Sequence, residues 1–65
     1  MKQLKDLKSG EMFTLKSIEY PSDMQVYVRG AYDRSERKYC CYKYGDVCAE
    51  RMFRGSRLVY TDFIF

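Results

Sequence analysis

The sequence predicts an all-β fold: a small five-stranded SH3-like barrel or a strongly curled antiparallel sheet, with one short helical turn. Three observations carry that expectation. Residues 25–32 and 38–44 are runs of β-branched and aromatic residues on either side of a polar, charged segment, which is the pattern of a hairpin and its loop. Residues 11–18 alternate, with Phe13 and Leu15 on one face and Thr14 and Lys16 on the other, as a half-buried strand does. Gly55-Ser56 stands between two further short apolar runs, where a two-residue type II′ turn fits. Closing such strands into a barrel hides their edges, and a flat three-stranded sheet would leave Phe63 and Phe65 wet.

Sixty-five residues make a single domain, because a chain this short buries only about 60% of the surface its unfolded form exposes and cannot divide its core. Aromatic residues must supply much of that core, with seven Tyr and four Phe in the chain. Three cysteines, two of them adjacent, do not form the even-numbered framework of a disulfide-stapled secreted domain. They read as free thiols in a reducing compartment. Charges interrupt the first twelve residues, and no segment approaches the roughly 20 apolar residues needed to cross a bilayer, so a cytoplasmic location without a membrane partner is the expectation.

In chain order, Leu4 and Leu7 precede a Ser9-Gly10 turn signal, so any helical turn there is short. The strand over 11–18 ends or bulges near Ser17, where Ile18 falls out of phase. Pro21 cannot donate to a ladder and disfavours the helical region at Tyr20, which makes residues 19–24 a loop. If 34–37 form a four-residue loop, Asp33 pairs with Lys38, Tyr32 with Tyr39, Arg29 with Tyr42, Val28 with Lys43 and Tyr27 with Tyr44. Gly30 then lies across from Cys41 and marks a bend or bulge. That register commits Val26, Val28, Tyr32, Tyr39 and Cys41 to the core. It turns Tyr27, Arg29, Tyr42 and Tyr44 outward, with Ala31 and Cys40. Residues 45–49 read as one helical turn capped by Asp46, which brings Val47 and Cys48 under the sheet. Residues 50–53 and 58–65 read as a second hairpin, with Met52 opposite Val59, and Val59, Thr61, Phe63 and Phe65 on one face. Tyr60 pairs with Arg51 on the other face, and Phe53 and Leu58 are exposed.

The runs LKSGEMFTLK over 7–16, VYVRGAYDRSERKYCCYK over 26–43 and VYTDFIF over 59–65 resemble a group of small uncharacterised bacterial β-rich proteins. The resemblance covers most of the chain. It implies a small β-rich fold and an accessory role, and it carries no catalytic or binding residue with it.

Enzymatic chemistry finds little support. The chain has no His, so the commonest general base and metal ligand is missing and a Cys nucleophile has no imidazole to activate it. Adjacent cysteines on a strand point to opposite faces, and the spacing of Cys40, Cys41 and Cys48 matches no zinc pattern. No phosphate-cradling glycine loop occurs, and the expectation is a protein without catalytic residues, metal or cofactor. Net charge is only +3, but residues 29–57 hold +4 of it and the rest of the chain −1. The candidate binding residues are Tyr27, Arg29, Arg34, Arg37, Lys38, Tyr42, Tyr44, Arg51 and Tyr60, with Arg54 and Arg57 extending them. Aromatic faces for bases beside cations for phosphates make single-stranded or structured nucleic acid the first expectation. A protein-interaction or self-associating, dimerising module is the rival, because the same tyrosines and the DFIF end would serve an apolar interface.

Overall fold

The computed structural model describes residues 1–64 and is all-β. Six strands follow one another: β1 (Lys2–Gln3), β2 (Met12–Thr14), β3 (Val26–Asp33), β4 (Lys38–Lys43), β5 (Asp46–Phe53) and β6 (Leu58–Val59). Strands β2 to β5 form a four-stranded antiparallel meander, and β1 pairs with β6 in a two-stranded ribbon. Neither sheet closes into a barrel. They are joined at one bridge, Thr14 to Tyr60, where each backbone N–H donates to the other's carbonyl.

The helical elements lie elsewhere than at residues 45–49. Two 3₁₀ turns occupy Leu4–Asp6 and Asp23–Gln25. The second is fixed by a reciprocal cap in which Gln25 Oε1 accepts from the Ser22 N–H. Gly45 instead closes a tight hairpin turn between Lys43 and Asp46, and the chain continues into β5. Asp46 does act locally, since its Oδ1 accepts from the Cys48 N–H. There the ladder slips between Tyr42 and Lys43, a β-bulge that pushes Val47 and Cys48 outward, so both are exposed and neither lies under the sheet.

The second hairpin of the sequence reading has a turn at its position, but not the type II′ geometry, since Gly55 takes no positive φ, and not its pairing. Arg57 N–H donates to the Arg54 carbonyl, yet β5 pairs with β4 while β6 pairs with β1. Met52 consequently faces Cys40 and not Val59, and Tyr60 faces Thr14 and not Arg51. Phe53 is buried, Leu58 is exposed, and Phe65 lies outside the described residues. The N-terminal 3₁₀ turn docks on this same turn, with Leu4 and Lys5 N–H donating to the carbonyls of Arg57 and Gly55.

One bulge decides the faces of the central hairpin. Asp33 pairs with Lys38 and Tyr32 with Tyr39 across the four-residue loop, as expected. Gly30 and Ala31 then oppose Cys40 alone, and beyond them Arg29 pairs with Cys41, Val28 with Tyr42 and Tyr27 with Lys43. A slip of one residue sends every following side chain to the other face. The slip carries Tyr27 onto the face of Cys41, where it is 5% exposed; Val26 and Val28 are buried as expected, and Tyr32, whose pairing with Tyr39 is unchanged, is nonetheless 48% exposed.

The core is a layer between the two sheets. Leu4, Leu7 and Val59 from the ribbon side meet Phe13, Tyr27, Cys41 and Phe53 of the meander, with Leu15 and Tyr39 packed against them. Three rings form its centre: Phe13 stacks on Tyr27 at 5.7 Å, and Phe53 meets both edge-on at 6.3 and 5.6 Å. Edge-on and offset rings are the favoured aromatic geometries, so this trio stabilises the fold beyond its buried area.

Candidate functional site

The residues read from the sequence as one basic-aromatic face fall into separate places. Tyr27 is in the core and unavailable. Arg29 lies half-buried with its Cζ 4.2 Å from the Tyr39 ring centroid, and its Nε is buried without a hydrogen-bond partner. The ring face takes over part of what a hydrogen bond would supply to the guanidinium. Tyr60 is half-buried at the bridge between the sheets.

Tyr42 and Tyr44 are on the opposite face of the meander. With Gly10, Met12, Val28 and Val47 they line a shallow, mainly apolar depression of about 390 Å³. No charged side chain lines it.

The remaining cations converge at one end of the molecule. The β3–β4 loop carries Arg34 and Arg37, both exposed, and the Arg54–Arg57 turn lies beside it. Lys38, Met52, Phe53, Arg54, Ser56 and Arg57 line a depression of about 300 Å³. Glu36, Arg37, Arg54, Gly55 and Ser56 line an adjoining one of about 390 Å³. Two guanidiniums flank the buried Phe53 ring, with the Cζ of Arg51 at 5.7 Å and that of Arg57 at 5.5 Å. None of Arg37, Lys38, Arg51, Arg54 or Arg57 has an ion-pair or side-chain hydrogen-bond partner among the described residues.

The local acids are partly engaged. Asp33 Oδ1 accepts from the Ser35 and Glu36 N–H groups and so fixes the loop, and Glu50 accepts from Cys40 Sγ at 3.5 Å. Only Glu36 enters the basic depressions. Arg37 takes a left-handed backbone conformation, φ 56°, which is unfavourable by about 1–2 kcal/mol for a residue with a Cβ.

Sequence reasoning missed the aromatic part of this end. Tyr32, Tyr39 and Phe53 stand there; the core expectation holds in part for Tyr39, which packs half-buried against the core, and fails for Tyr32.

The cysteines are unpaired: Cys41 is buried, Cys40 half-buried and Cys48 exposed. Burial pushes the Cys40 thiol above its ordinary pKa, and the Glu50 hydrogen bond and charge push it the same way. Burial also raises Cys41, against a smaller opposing hydrogen bond from the Gly30 backbone. Because the native state holds these protons to higher pH, the contribution of both thiols to stability is complete below the ordinary thiol pKa. It is lost as pH rises through the raised values. Iodoacetamide at pH 8 should modify Cys48 first, Cys40 slowly and Cys41 last, as read by mass spectrometry of peptides. Glu50→Gln should speed the Cys40 reaction, and an unchanged Cys40 rate would contradict the assigned cause.

No helix among the described residues is long and apolar enough to cross a membrane. No family model, no curated protein and no solved structure matches the chain.

Proposed function

We propose that the protein binds single-stranded nucleic acid through its basic end and catalyses no reaction. The observation that carries this is the convergence of Lys38, Arg54 and Arg57 on one depression and of Arg37 and Arg54 on the next, without carboxylate partners. Of the carboxylates only Glu36 lines these depressions, so the cations outnumber it and can displace counterions from phosphates, the main source of affinity for a polyanion. Arg37 adds to the argument. Gly or Asn would sit more easily at its backbone conformation, and a strained residue retained at a loop tip points to a use for its side chain. In this reading the two sheets are halves of an SH3-like barrel left open beside β5, in a cytoplasmic accessory protein of the kind the resemblance implies.

A salt titration against a mixed-sequence single-stranded oligonucleotide tests the proposal. Log affinity should fall linearly with log salt, by about 0.7 per phosphate contacted. Lys38→Ala with Arg54→Ala and Arg57→Ala should lower that slope by about 2 and weaken binding at least about tenfold at low salt. Salt-insensitive binding, or an unchanged slope in the triple variant, would overturn it. The uncharged depression around Met12, Val28, Tyr42, Tyr44 and Val47 favours a second reading, self-association through that face. A dimer seen by light scattering throughout the same salt series, without oligonucleotide binding, would make that reading the better one.

A further inference from the structure

We propose that Tyr32 is a stacking platform for an unpaired base, held ready at the basic end by a ladder of Tyr39 and Arg29. The inference rests on the nucleic-acid reading and adds to it a residue, a contact type and a preference for unpaired bases. Tyr32 is the outer rung. The residue is 48% exposed, and its ring centroid lies 4.9 Å from that of Tyr39 at an interplanar angle of 57°.

Tyr39 has two further neighbours. Arg29 lies over its ring at 4.2 Å, and Gly55 backs it so closely that a Cβ there would stand 3.1 Å from Tyr39 Cε2. Gly55 belongs to the Arg54–Arg57 turn, so Tyr39 is the contact that holds the base of the hairpin loop against that turn. Through Tyr39 the exposed ring of Tyr32 thus stands beside the turn that carries Arg54 and Arg57. The half-exposed ring of Tyr32 leaves a face for a base to cover. Stacked bases of a duplex hide their faces, so the platform selects single strands over duplexes, and it gives no advantage to a polyanion that lacks bases.

The test compares a short oligothymidylate with inorganic polyphosphate as probes for the wild type, Tyr32→Ala and Tyr32→Phe, by fluorescence anisotropy of labelled probes or competition against one. Tyr32→Ala should weaken oligothymidylate binding about five- to 150-fold, corresponding to about 1–3 kcal/mol per stacked base. It should leave polyphosphate affinity unchanged, which also shows that the variant is folded, and Tyr32→Phe should match the wild type on both probes. Equal loss of both probes in Tyr32→Ala, or loss of neither, would overturn the stacking role while leaving the nucleic-acid reading in place. Failure of the wild type to bind oligothymidylate would overturn both.

Discussion

Phe13→Ala should leave the chain largely unfolded at 25 °C, with the cooperative thermal transition lost and the far-ultraviolet signal that of a disordered chain. Phe13 is fully buried and touches both other rings of the central trio. Its removal deletes a stacked and an edge-on contact and opens a hole between sheets that meet through few residues. Truncations of this kind are destabilising by about 3–5 kcal/mol. A single core in a chain of this length rarely supplies more than about 3–5 kcal/mol in total. The two magnitudes are equal, so the native state has no reserve against this loss. Phe13→Leu, which keeps much of the volume, should fold with a lowered melting temperature. A Phe13→Ala protein that melts cooperatively near the wild-type temperature would show that the aromatic trio is not the centre of stability.

Gly30→Ala should be the most damaging change of one methyl group. A Cβ at Gly30 would drive into the carbonyl of Cys40, which is backbone and cannot swing aside as a flexible side chain could. Either the bulge opens or the ladder shifts, and the second outcome would return Tyr27 and Arg29 to the face that the uninterrupted register assigns them. Overpacking a well-filled site is unfavourable by about 1–3 kcal/mol, a large share of the whole for a domain this small. Urea denaturation should show a midpoint displaced to lower concentration. An alanine variant as stable as the wild type would mean that the hairpin has no need of the bulge.

The same glycine explains where sequence reasoning held and where it stopped. The hairpin, its four-residue loop, and the Asp33–Lys38 and Tyr32–Tyr39 pairs follow from local composition, because turn chemistry and β-branched runs act over a few residues. Gly30 was legible as a point of bending. What no local rule supplies is which partner residue the extra backbone unit opposes, and one position of difference carried Tyr27 into the core. At residues 45–49 a brief run after Gly-Asp satisfied a helix-cap pattern, although Lys-Tyr-Gly-Asp between two strand-like runs equally suits a tight hairpin turn. The deciding term was tertiary: β4 needs a neighbour on its free side. A turn does fall at 54–57, though not of type II′, and its flanking strands leave for different sheets, because a turn specifies geometry without naming partners. The site suffered in proportion. Its cations could be named from composition alone, Lys38 at the start of a strand and Arg37, Arg54 and Arg57 on a loop and a turn, whereas the place of its aromatics depended on the register.

The joint between the sheets has a consequence for how the protein would respond to a ligand. The basic end straddles it: Arg37 and Lys38 belong to the meander, while Arg54 and Arg57 bound the turn on which the N-terminal segment docks. Beyond the Thr14–Tyr60 bridge, that docking is what keeps ribbon and meander in register. A polyanion gripping both sides acts as a staple across the open seam and binds only the assembled form, so by linkage it raises the free energy of parting the sheets. At one hundred times the dissociation constant the gain is about 2.7 kcal/mol, of the same order as the stability of so small a domain. A ligand that bridges the two sheets therefore makes occupancy and foldedness two readings of one equilibrium.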